Sequence, residues 1–259
     1  MTRGDGTSLY PLRDIAYNLE KLKKGDNIVV LGEDQKLYQE QIADVLKELE
    51  LKPPRVVHYS FVLLQDGKMS TRKGNLVLLE DFMKEALDKA SEELKKRYNQ
   101  VDKKAAKIIA YGAVKYGILK VSPEKNVVFN WQQALSFEGE TAPYIQYAYA
   151  RISSILNKSK KINLKADLKL LKEKEEIELI KSLSNFPEVV NKATSELRPH
   201  LIASSLYSLA QKFNEYYHIH QVLKADEKVR DARILLIRSV GQVIKNGLAL
   251  LGISVLEKM

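Results

Sequence analysis

The chain has 259 residues, 45% of them hydrophobic and 29% charged, with a net charge of +9 at neutral pH. That apolar share builds a real core and excludes wholesale disorder, and the lack of any cysteine excludes a disulfide framework, thiolate zinc sites and thiol catalysis. No apolar run approaches the ~18 residues of a membrane span and MTRGDGTS does not read as a signal peptide, so the expectation is a soluble, cytoplasmic protein without membrane contact.

The predicted elements begin with a short helix over residues 14–24, stopped by Gly25, a residue suited to the left-handed cap. NIVVL over 27–31 reads as a strand ending at Gly32. Residues 36–49 place Ile42, Val45, Leu46 and Leu49 at helical spacing. After Pro53 and Pro54, VVHYSFVLL over 56–64 reads as a second, buried strand. This strand–helix–strand order predicts parallel strands joined by a right-handed crossover.

From Leu79 onward the pattern is helical: 79–97, 103–119, 143–157, 173–183, 187–197, 200–220 and 226–251, with 127–131 the one strand competitor. Thr141, Ser122 and Asn185 stand near prolines as start signals. The Lys/Glu-rich stretch 158–181 reads as a solvated connection. The fold class is therefore α/β followed by all-α: a partial Rossmann-like parallel sheet over 1–100, a connecting helical segment over 101–141 and a helical bundle over 142–259.

The net charge points toward a polyanion. Lys outnumbers Arg 32 to 10, which favours diffuse phosphate attraction over bidentate base reading. Residues 66–75, DGKMSTRKGN, put Lys68, Arg72 and Lys73 between Gly67 and Gly74, after a strand and before a long helix. A cationic loop at the carboxyl end of a parallel strand is where a triphosphate binds, and where the charge of a departing pyrophosphate is held. Tyr144, Tyr147, Ala148 and Arg151 recur at i, i+3, i+4 and i+7, one face of a helix, and Tyr216 and Tyr217 end another amphipathic helix. Aromatics beside cations suit unstacked single-stranded bases, although such a stripe is also what core packing looks like. His218 and His220, two apart on a presumed helix, face different ways and have no third ligand nearby, so no metal site is expected.

KMSTRKG resembles the KMSK-type signature of class I aminoacyl-tRNA synthetases in its arginyl-tRNA synthetase form. GDGTSLYPLRDIAY, LGEDQKLYQEQ and HYSF are similar to the blocks that family carries before the signature. FNWQQALSFEGETAPYIQYAYARISSIL and the run from FNEYY to GLALLGISVLEKM resemble its DALR-type anticodon-binding domain. The resemblance spans nearly the whole chain, in order. The sequence holds no His-x-Gly-His string, so the family's HIGH signature has no counterpart in it. The expectation is the C-terminal half of an arginyl-tRNA synthetase, either a piece of one or a shortened natural paralogue.

That resemblance implies roles. Tyr10 and Asp14 would hold the arginine substrate, with a carboxylate the natural partner of a guanidinium, and Gln35 would line the same pocket. Lys68, Met69 and Ser70 would begin the ATP-clamping loop; Thr71 replaces the second lysine of the generic motif, so Arg72 or Lys73 would supply that charge. Tyr38 stands where the family often has His. Anticodon contacts would map to Tyr144, Ala148, Tyr217 and Met259, with Arg151 beside them. ATP with Mg²⁺ is implied as cofactor, and tRNA(Arg) as partner. Arginine and ATP would bind only when an N-terminal half is supplied. The chain alone is not expected to aminoacylate; the alternatives are a stand-alone tRNA-binding or regulatory protein, and a fold kept only for protein interaction. A halved parallel sheet predicts an edge covered by self-association or by an N-terminal partner chain.

Overall fold

The computed structural model describes residues 2–64, 78–98, 102–159 and 162–259. They form two compact units, residues 1–62 with 123–126, and 63–122 with 127–259.

In the first unit, helix α1 (Tyr10–Leu22) starts with Pro11 in its first turn, where a missing N–H costs nothing, and the chain reverses at Gly25, whose φ of 137° only glycine adopts freely. Strand β1 (Ile28–Gly32), a 3₁₀ turn (Glu33–Gln35), helix α2 (Lys36–Glu48) and strand β2 (Arg55–Tyr59) follow. β1 and β2 pair in parallel, from Ile28 opposite Arg55 to Gly32 opposite Tyr59, as the strand–helix–strand pattern requires. A small core of Ile15, Ile42 and Leu46, backed by Tyr38, Val45 and Leu51, joins α1 to α2.

The run over 56–64 is not one buried strand. β2 ends at Tyr59 and a separate strand β3 (Val62–Leu64) follows. The break has a local cause. The Asn126 carboxamide oxygen accepts from Ser60 Oγ (2.6 Å) and from the Phe61 amide (3.1 Å), while the Ser60 amide donates to the Pro123 carbonyl (2.8 Å). These bonds take the donors a continuing ladder would use.

In the second unit, β3 pairs with β4 (Val127–Phe129), whose Val127 and Phe129 face inward and Val128 outward. Helices α3 (Leu79–Tyr98) and α4 (Lys103–Leu119) pack on each other; the Asp102 side chain caps α4 by accepting from the Lys104 amide (2.8 Å). A short helix α5 (Trp131–Ala134) precedes α6 (Ala142–Lys158), capped by Thr141. Helices α7 (Lys174–Glu196), α8 (His200–Ile219) and α9 (Glu227–Leu250) complete a bundle around Ile152, Leu179, Leu206, Phe213, Ile237 and Ile244.

Three expectations are corrected here. Residues 173–183 and 187–197 are one helix, α7, with Pro187 inside it and Asn185 mid-helix rather than a cap. An interior proline removes a backbone donor, but the stripe Leu179, Leu183, Phe186 and Ala193 packs on the core on both sides of it and holds the helix together. Ser122 precedes β4 and starts no helix. The 158–181 stretch is not merely solvated: Leu171 and Leu179 are in the core, and the buried Glu176 accepts from Arg233 Nε.

Candidate nucleic-acid interface

Helix α6 is amphipathic, and it carries two kinds of side chain on adjoining faces. Ala142, Ile145, Ala148 and Ile152 enter the core. Tyr147, Arg151, Ser154 and Lys158 turn instead toward a cleft of about 830 Å³, closed on its other sides by Tyr217 and His218 at the end of α8, by residues 220–224 after it, and by Glu257, Lys258 and Met259. The Arg151 guanidinium lies between two rings, 4.9 Å from the centroid of Tyr147 and 4.7 Å from that of Tyr217. Arg151 Nη1 donates to Asn214 Oδ1 at 2.7 Å, which locks the guanidinium plane. A planar cation stacked on aromatic faces is a geometry that lysine cannot supply. Lys158, Lys224 and Lys258 line the same cleft without an ion pair among the described residues.

The cleft gathers Arg151, Tyr217 and Met259 from the expected set and leaves two others out. Ala148 is fully buried in the core, and Tyr144 turns to α8, where its ring meets Tyr207 at 5.6 Å. Tyr147, on the same helix, lines the cleft. α8 ends at Ile219 and His220 is extended, so both His218 and His220 reach the cleft. His220 Nε2 lies 3.0 Å from Glu175 Oε2 and its ring stacks on Tyr216 at 5.0 Å; the hydrogen bond to His220 holds the Glu175 carboxyl below the usual carboxylate range.

In the first unit, α1 and α2 bring Tyr10, Asp14 and Tyr38 together. Tyr38 Oη donates to Asp14 Oδ2 at 2.7 Å, and the Tyr10 and Tyr38 rings lie 5.4 Å apart. Burial, and then the Asp14 carboxylate, push the Tyr38 phenol well up. Gln35, in the 3₁₀ turn before α2, donates from its Nε2 to Asp34 Oδ2 at 2.9 Å. Lys68, Met69, Ser70, Arg72 and Lys73 lie outside the described residues. No group of three or more His, Asp or Glu that could hold a metal occurs among the described residues, and none of their helices is long and apolar enough to cross a membrane.

Residues 1–131 match the profile of the class I tRNA synthetase (R) catalytic domain, and residues 145–259 that of the DALR anticodon binding domain. The chain belongs to the arginyl-tRNA synthetase family. It is 42% identical over 265 residues to the arginine–tRNA ligase of Methanocella arvoryzae, covering all of this chain and 47% of that protein. It is also 42% identical over 259 residues to that of Methanocaldococcus jannaschii, covering 98% and 45%. Among solved structures, Thermus thermophilus arginyl-tRNA synthetase superimposes with a TM-score of 0.91 at 29% identity, over all of this chain and 50% of that one. The chain thus spans about half the length of the family members it matches. The α/β part followed by helices, expected from the sequence, is the arrangement of that synthetase's matching half. The aromatic cleft lies wholly within the second unit and, from Tyr147 to Met259, within the DALR match.

Proposed function

We propose that this chain grips the anticodon arm of arginine tRNA in the cleft around Arg151. The observation that carries this reading is the Tyr147–Arg151–Tyr217 stack, fixed by Asn214 and rimmed by lysines that make no ion pair among the described residues. Unstacked bases gain by lying on ring and guanidinium faces, and the lysines meet the phosphates between them. The same chain carries residues for the arginine-ligation reaction. Tyr10 and Asp14 form the wall that receives the substrate guanidinium, with Tyr38 holding the carboxylate in place, and Gln35 lies nearby in sequence to complete the pocket. Lys68, Met69, Ser70, Arg72 and Lys73 clamp the phosphates of ATP, with Mg²⁺ held mainly by those phosphates.

In that reaction the arginine carboxylate attacks the α-phosphate of ATP and pyrophosphate leaves. The terminal adenosine hydroxyl of the tRNA then attacks the arginyl carbonyl and AMP leaves. The protein contributes positioning and charge stabilisation. The sequence holds no His-x-Gly-His string, so these residues supply the signature-loop side of the ligation site and do not aminoacylate by themselves; they act in the cytoplasm together with an N-terminal half, in the same chain or as a partner, that supplies the facing wall. The free face of the parallel strands β1 and β2, where Ile28 and Val30 are 54% and 62% exposed, supports such a half.

The test is binding of the chain to an arginine tRNA transcript and to one with a changed anticodon, at moderate salt. A clear preference for the intact anticodon supports the reading. Equal binding that fades steeply with salt means that only the +9 charge is felt, and the reading is lost.

A further inference from the structure

The last residues of the sequence are not a helix, yet they form one wall of the cleft, and a small set of contacts decides where they run. Helix α9 ends in a left-handed turn: Gly252 has φ of 68°, its amide donates to the Ala249 carbonyl (2.9 Å), and the Ile253 amide donates to the Leu248 carbonyl (2.8 Å). This is the pairing of a Schellman motif, in which an apolar residue after the glycine packs back on the helix. Ile253 does so and is buried. The turn sends the chain away from α9 and across α4 and α6.

Two side chains meet it there. Lys115 Nζ on α4 donates to the Gly252 carbonyl at 2.5 Å, and Gln146 Nε2 on α6 donates to the Ser254 carbonyl at 2.8 Å. Gln146 is fully buried, and its Oε1 has no hydrogen-bond partner among the described residues. Burying a carboxamide with one unsatisfied atom is costly, and in return its amide holds residue 254. Gly112 shapes the same spot: a Cβ on it would lie 2.9 Å from Gln146 Nε2 and 3.2 Å from Ile253 Cγ2. Gln146 precedes Tyr147 on α6, so the residue that fixes the tail adjoins the residue that begins the aromatic stack.

We propose that Gln146 is a positioning residue for RNA binding: it latches the segment after Gly252 so that Glu257, Lys258 and Met259 stand as a wall of the Arg151 cleft. The inference rests on the anticodon reading above. It makes Gly112 the second part of the latch, because only a residue without Cβ leaves the carboxamide its place.

The experiment compares the parent chain, Gln146→Leu, a chain ending at Leu256, and the two changes combined. Binding to arginine tRNA and to an anticodon-changed transcript is read beside amide hydrogen exchange over residues 252–259. Gln146→Leu keeps the side chain's bulk and removes its donor. Expected are faster exchange in the tail, about a five- to tenfold loss of affinity for the intact tRNA, the scale of one lost hydrogen bond, and a smaller preference for the intact anticodon. In the shortened chain Gln146→Leu then costs nothing further, since the wall it positions is gone. Gly112→Ala, acting on the same amide from the other side, reproduces the result and guards against a local folding defect. Unchanged tail exchange in Gln146→Leu, or an additive loss in the combined variant, overturns the latch. Equal binding of both RNAs by the parent chain sinks the anticodon reading itself. Failure of the latch looks different, because the parent then discriminates and Gln146→Leu does so equally well.

Discussion

Arg233 Nε donates to Glu176 Oε1 at 2.7 Å, tying the first turn of α7 to α9 inside the bundle. The Glu176 side chain is almost wholly buried, and its second oxygen accepts from the Glu173 amide at 3.1 Å, closing the cap of α7. Removing one member of such a pair strands a buried charge, which costs about 3 kcal/mol or more. Arg233→Met and Glu176→Ala should each lower Tm, by roughly 6–12 °C for a unit of this size, and the double change should cost much less than their sum. Thermal unfolding of the three variants checks this; additive losses would mean the two residues act separately.

Arg151 should matter to RNA through its plane as well as its charge. Arg151→Ala removes the cation between Tyr147 and Tyr217 and should weaken arginine tRNA binding about tenfold or more, the scale of one lost base-stacking contact. Arg151→Lys should recover little of it, because an ammonium has no faces to stack and cannot hold the Asn214 bond in the same plane. Full recovery by lysine in an equilibrium binding titration would reduce the residue to a point charge.

Burial raises the phenols of Tyr38, Tyr116 and Tyr216. A folded-state value above the unfolded one means that the native state prefers these groups neutral. Their contribution is complete below the unfolded value of about 10 and is lost as pH rises past it. Denaturation midpoints should therefore hold up to about pH 10 and then fall. Tyr116→Phe gives up the bond to the Ala203 carbonyl (3.0 Å) at every pH, but should flatten the alkaline fall. A midpoint that declines in parallel in both proteins would show that Tyr116 is not responsible.

Ile28 and Val30, two apart on β1, share one exposed face of a parallel sheet. Parallel strands are ordinarily covered on both faces, so the isolated chain should self-associate as its concentration rises. Ile28→Lys with Val30→Lys should return it to a monomer in sedimentation velocity. A monodisperse parent chain would show that this face needs no cover.

Much of the fold was legible because local chemistry decides it. α4 runs over residues 103–119 as its periodicity indicates, and Thr141 caps α6 by accepting from the Tyr144 amide. The parallel pairing of β1 with β2 follows from a helix between two apolar runs. The errors fall where distant residues intervene. Asn126 cuts the 56–64 run in two, and the packing of Leu179 and Ala193 carries α7 through Pro187.

The sequence by itself determined the family and the order of its parts, because motif strings and hydrophobic periods are properties of neighbouring residues. Only the tertiary structure decided which of Tyr144, Tyr147, Ala148 and Arg151 face the cleft. Those four span an arc of α6 wide enough to touch both core and solvent. Where α8 and α9 lie against that arc buries Ala148, turns Tyr144 to Tyr207, and leaves Tyr147 and Arg151 open to the groove. His220 and the last three residues reach the same groove for a like reason: a helix end and a glycine turn redirect the chain, and what they meet lies far away in sequence.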